Sequence, residues 1–221
     1  MFSNKKFFEY GGIAASLILV AFGIAAIVLG VNGRSTVQSS LKQEAIVGSP
    51  DMTPSAIKAE AKQAGLPASI KLPTESVAGK AINDGGRARV FAKYMRIHTL
   101  EATKGYTYAQ MGRYQLKAGA PQDPTASPGS TNNPKTAAID PKTQQPVANG
   151  ARDIWVTETA LTTALNTSYM AEQLANFGIV VGVALLLSGI GFGVLTLGGA
   201  LRRQAKPAVE AAPARTMVPA S

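Results

Sequence analysis

The chain has 221 residues, a mean hydropathy of +0.08, 46% hydrophobic and 16% charged side chains, and a formal net charge of +9. It contains one histidine and no cysteine, which excludes a disulfide framework, a thiol nucleophile, a cysteine zinc site and any metal site needing two histidines from one chain. The average hydropathy conceals two charge-free apolar runs, which leave the middle of the chain polar.

The chain opens on a short tail, residues 1–10, carrying Lys5, Lys6 and Glu9. Residues 11–31 follow as an apolar run; at 1.5 Å per residue such a helix is about 32 Å long, enough to cross a hydrocarbon core of about 30 Å. It exceeds the h-region of a cleaved signal peptide, so an uncleaved anchor is expected. Beyond it Val37, Leu41 and Ala45 recur at helical spacing, extending the helix to about Glu44.

Thr53-Pro54 is an N-cap followed by Pro in the first turn, and Gly65 closes the helix expected over 54–64. A second helix is expected over 86–102, with Val90, Tyr94 and Ile97 as its apolar stripe and Phe91 and His98 beside it. Tyr106 to Met111 begin a short turn or helix. Across 115–150, six prolines punctuate a Ser/Thr/Gln/Asn/Gly background, the composition of a flexible loop that cannot bury enough to offset its chain entropy. One long helix is expected over 152–200, with its membrane span at 177–200. The basic tail, 201–221, shows no foldable pattern and is expected to be disordered. The fold class is therefore an all-α membrane protein: two transmembrane helices extended into an extracytoplasmic helical stalk with a small helical cap and a Pro-rich disordered loop, residues 32–176 together forming the extracytoplasmic helical domain.

Short-loop charge sets the orientation. Arg202, Arg203, Lys206 and Arg215 face the single acid Glu210 after the second span, so the positive-inside rule places that tail, and with two spans the N-terminus, in the cytoplasm of a plasma-membrane protein. Arg202, Arg203 and Lys206 are expected among anionic headgroups. The cations are too dispersed for nucleic-acid binding.

Chemistry is sparse. His98 has Glu101 three residues on, a spacing that allows a pair but is more often simple helix packing. No serine sits in a nucleophile elbow, Gly85-Gly86 lacks a phosphate-cradling pattern, and the sequon Asn166-Thr167-Ser168 lies inside a helix. No catalytic residue, metal ligand or cofactor is expected. Tyr94, His98, Tyr106 and Tyr108 are the candidate ligand-binding residues, with domain packing as the plainer role of the tyrosines. Gly178, Gly182, Gly189 and Gly193 fall on one face of the second span and let another helix approach closely, either the first span or a separate membrane partner or second copy. With no ionisable residue inside either span, transport by this chain alone is not expected.

Val37-Gln38-Ser39-Ser40-Leu41-Lys42, Ala92-Lys93-Tyr94, Ile97-His98-Thr99-Leu100-Glu101-Ala102, Thr107-Tyr108-Ala109-Gln110 and Leu165-Asn166-Thr167-Ser168 occur in that order ahead of the Phe177-Gly178 span. With both spans, they resemble an uncharacterised family of two-span integral membrane proteins common in actinobacteria. The resemblance omits 115–150, which is longer here. Some members carry the label of an aromatic ring-opening dioxygenase subunit, but non-haem iron ring cleavage needs two histidines and a carboxylate, and this chain has His98 alone. The function expected is a non-enzymatic membrane protein of the cell envelope, a structural or accessory subunit working through helix–helix contacts. The alternative is an extracytoplasmic ligand-binding or sensory module on a two-helix anchor.

Overall fold

A computed structural model describes residues 4–198. Among them are four α-helices, α1 (Asn4–Gln43), α2 (Pro54–Gln63), α3 (Gly85–Ala102) and α4 (Gly150–Leu197), and two short strands, β1 (Tyr114–Gln115) and β2 (Ser130–Thr131). α1 and α4 are each long and apolar enough to cross a membrane. The most apolar stretches of the two helices are only 6% and 11% buried, unlike the core helix of a soluble protein. The chain divides into two compact units, each drawing on both long helices.

In the first unit, residues up to 27 of α1 pack on residues from 180 of α4. Glycines set the approach. A Cβ on Gly182 would lie 2.8 Å from the Gly23 carbonyl oxygen, and one on Gly23 would lie 2.7 Å from the Leu186 amide nitrogen. Gly189 meets Val20 and Leu19 in the same way, while Ser16 donates its hydroxyl to the Gly189 carbonyl at 2.7 Å. Leu17, Phe22, Leu187 and Val194 point away from this seam and are exposed. Small residues therefore meet inside the pair, and bulky apolar ones line its outside.

The second unit, residues 28–179, holds the remaining elements. Its core gathers Leu41 from α1, Ile57 and Ala61 from α2, Val90, Phe91, Tyr94, Ile97 and Leu100 from α3, and Trp155 and Leu165 from α4. Thr53 caps α2 by accepting the Ala56 amide, and Asp84 caps α3 by accepting that of Arg87. Glu172 of α4 lies 5% exposed and gathers three elements: it accepts the Gly85 amide at 2.5 Å, Gln38 Nε2 at 2.9 Å and Arg34 Nε at 3.3 Å. A carboxylate at the first turn of α3 also meets the positive end of that helix dipole.

The described residues are mostly helical, as expected, with one small addition: β1 and β2 pair antiparallel, Tyr114 opposite Thr131. Residues 115–150, expected from their composition to be an unstructured loop, instead follow a hydrogen-bonded path. Gln115 donates to Val147, Ala138 to Gln115 and Val147 to Ala138, at 2.8–3.0 Å, while Ser130 and Thr131 are fully buried. The physical reason is that short polar side chains satisfy the backbone here in place of an apolar core. Asp123 alone accepts from Thr125 (amide and hydroxyl), the Thr131 hydroxyl and the Asn132 amide.

Candidate functional site

The helical face of α3 decides what its polar residues can reach. Burial of Ala88, Phe91, Tyr94 and Ile97 fixes the rotation of the helix and brings His98, a quarter exposed, to the edge of the contact with α2. On α2, burial of Ile57 and Ala61 likewise fixes Glu60 beside it. The turn leading into α2 contributes Asp51. Nε2 of His98 stands 3.4 Å from Oε2 of Glu60 and 3.6 Å from Oδ2 of Asp51, and one donor atom from each residue lies within 4.8 Å of the others. Nε2 and the Glu60 Oε2 are shut off from solvent and have no hydrogen-bond partner.

Asp51 is more open, at 45% exposure. The Ser49 hydroxyl donates to its Oδ1, and chiefly for that reason its carboxyl is held below the ordinary value, against the opposing effect of desolvation. The backbone amides of Asp51 and Met52 and the nearby His98 act in the same direction. Oδ2 is left facing the imidazole. Glu101, the neighbour expected from spacing along α3, is exposed, and the carboxylates at Nε2 come from outside the helix.

No family model matches this chain, and no curated protein or solved structure does either. Any functional reading therefore rests on its own residues.

The expected ligand-binding tyrosines have separate places. Tyr94 is fully buried and donates its hydroxyl to the Glu75 carbonyl at 2.9 Å; burial pushes its phenol pKa up. The Tyr106 carbonyl accepts the Trp155 indole N–H at 2.8 Å and the Thr103 hydroxyl at 2.8 Å, and its ring packs on the core. Tyr106 borders a cleft of about 410 Å³ with Met111, Ser127 and Asn149. Tyr108 is exposed beneath the Arg152 guanidinium, 3.8 Å from the ring centre, and edges a shallow groove of about 530 Å³ with Trp155, Val156 and Thr159. His98 stands with Asp51 and Glu60.

Of the four spaced glycines, Gly182, Gly189 and Gly193 face α1 within the first unit, Gly193 against Ser16. Gly178 lies half-buried on α4 in the second unit. Arg202, Arg203 and Lys206 lie outside the described residues. Asp51 and Glu60 escaped the sequence reading because nothing in their local pattern ties them to His98. The signal that could have found Glu60 was the apolar spacing of α2, whose Ile57 and Ala61 turn it toward its neighbour.

Proposed function

We propose that this is a non-enzymatic integral membrane protein of the cell envelope, an accessory subunit that works by contact. In this reading α1 and α4 span the plasma membrane, both termini are cytoplasmic, and residues 32–176 form an extracytoplasmic domain carried on the outer parts of the two helices. The observation that carries the anchor is the glycine seam: the helices meet through Gly23, Gly182 and Gly189, and present leucine, valine and phenylalanine outward as a lipid-facing surface. Because the seam is used within the chain, contact with a partner falls to the outer domain or to that apolar exterior. The Glu172 bonds to Arg34 and Gln38 support a stalk of α1 against α4. The reading includes membership of the actinobacterial two-span family, on the motif residues given above.

A chain without cysteine makes the test direct. In intact cells a membrane-impermeant maleimide is expected to label Thr143→Cys, and to label Ser221→Cys only after lysis. Extracted gently, the same protein is expected to carry a stoichiometric second polypeptide. The reverse labelling overturns the topology, and a lone 22.9 kDa species overturns the accessory role. The alternative, an extracytoplasmic ligand-binding module, draws on the groove at Tyr108 and Trp155, whose apolar lining suits a hydrophobic ligand.

A further inference from the structure

Hydrogen bonding does not account for the group around His98. An N–H···O bond spans about 2.7–3.2 Å, and a charge-assisted one is shorter still. The two Nε2–carboxylate distances, 3.4 and 3.6 Å, exceed that range, and the buried Nε2 and Glu60 Oε2 face each other without a bond to any group. A buried donor or acceptor left unsatisfied is destabilising, so an arrangement holding two such atoms at close range calls for something between them.

The spacing fits an edge of a coordination tetrahedron. With metal–nitrogen and metal–oxygen bonds of about 2.0–2.1 Å, neighbouring ligand atoms around a tetrahedral ion are about 3.3–3.4 Å apart. An octahedral magnesium ion with similar bond lengths brings them to about 2.9 Å. Calcium has longer bonds that tolerate the wider spacing, but it takes oxygen ligands, and here one donor is an imidazole nitrogen. Imidazole with carboxylate is a donor set that zinc accepts.

We propose that Asp51, Glu60 and His98 form a binding site for a zinc-class divalent cation, with water completing the coordination shell. The parts of the site have distinct roles. Ile57 and Ala61 of α2 and Ile97 of α3, all buried, fix the backbone positions of Glu60 and His98. Ser49 holds Oδ1 of Asp51 and leaves Oδ2 to the ion, the orienting role that outer partners play around metal ligands. The exposed side of Asp51 provides the entry path. Two carboxylates neutralise a doubly charged ion. The bound ion ties the turn before α2, α2 itself and α3 into one assembly. This site goes beyond the contact role and is independent of which side of a membrane the domain occupies.

The test uses the full chain, purified in mild detergent without a polyhistidine tag and stripped with a chelator. Zinc titrated calorimetrically is expected to bind at one equivalent per chain and to raise the unfolding temperature, since a ligand that binds only the folded state stabilises it. Cobalt(II) in its place is expected to give the visible bands of a tetrahedral N/O site. Asp51→Asn and Glu60→Gln, which keep side-chain size, are expected to weaken zinc binding about tenfold or more, and His98→Gln to abolish the cobalt bands. Metal-free circular dichroism establishes that each variant is folded. If Glu60→Gln fails to fold, Asp51→Asn carries the comparison from its exposed turn. No stoichiometric zinc on the native chain overturns the proposal, as does zinc binding that the substitutions in folded variants leave unchanged.

Discussion

Asp123 shows how single side chains organise the part of this protein that composition describes worst. Its carboxylate accepts four hydrogen bonds and is held at a pKa of about 2, chiefly by the Thr125 hydroxyl and then by the Asn132 and Thr125 amides. In an unfolded chain an aspartate titrates near 3.9. The folded value is the lower one, so this contribution is fully present above about pH 4 and is lost as pH falls through about 2. Deuterium exchange corrected for intrinsic rates is expected to show the amides of Thr125 and Asn132 losing protection between pH 4 and pH 2. Asp123→Ala should show the same loss at pH 5; unchanged protection in that variant would remove the residue from its organising role. The sequence offered Asp123 only as one polar residue among many, because its partners at Thr131 and Asn132 are chosen by the turn between them. His98 was harder still, since its two carboxylates arrive across the packing of α2 on α3.

Helices were the legible elements, and the reasons are local. Thr53-Pro54 marks the start of α2 and Gly65, at φ +66°, its end. For α1 and α4, uninterrupted apolar runs leading into amphipathic stripes sufficed: the helix expected to reach about Glu44 ends at Gln43, and the one expected from 152 begins at Gly150. The β1–β2 pair was illegible because two-residue strands carry no periodicity, and their bonding depends on Gly112 lying directly against the backbone of Thr131. The glycine pattern on α4 was legible as a close-packing face, and the first span, which does meet it at Gly182, Gly189 and Gly193, was among the partners it allowed. That partner can be tested at one contact. A Cβ on Gly193 would lie 3.8 Å from the Cβ of Ser16, within the separation that a disulfide bridges. The double variant Ser16→Cys/Gly193→Cys is expected to cross-link within the monomer on mild oxidation. Adding Gly182→Leu, which forces a side chain toward the Gly23 carbonyl, should suppress that cross-link; efficient cross-linking with the leucine present would mean that the seam is looser than described.

At the scale of the whole molecule, charge is kept apart from the helix seam. The described apolar seam of α1 and α4 carries small and aliphatic residues, while Glu172, Arg34, Asp51, Glu60 and the arginine–aromatic pairs lie in residues 28–179. In that unit Arg89 lies over Tyr169 and Arg96 over Trp155, two cation–aromatic contacts that join α3 to the first half of α4. Trp155 is the chain's one tryptophan, 4% exposed, with its indole N–H held by the Tyr106 carbonyl. The protein therefore carries a built-in optical probe, free of interference from any second indole, at the place where α3, the turn after it and α4 converge. Its emission is expected to be blue-shifted in the native state and to move to the red in a single step when that convergence opens. Titrating denaturant against this signal, alongside circular dichroism dominated by the long helices, would separate melting around Trp155 in residues 28–179 from loss of the long helices as a whole. Coincident transitions would make the two one cooperative system, and an earlier fluorescence change would make the helices the last part to melt.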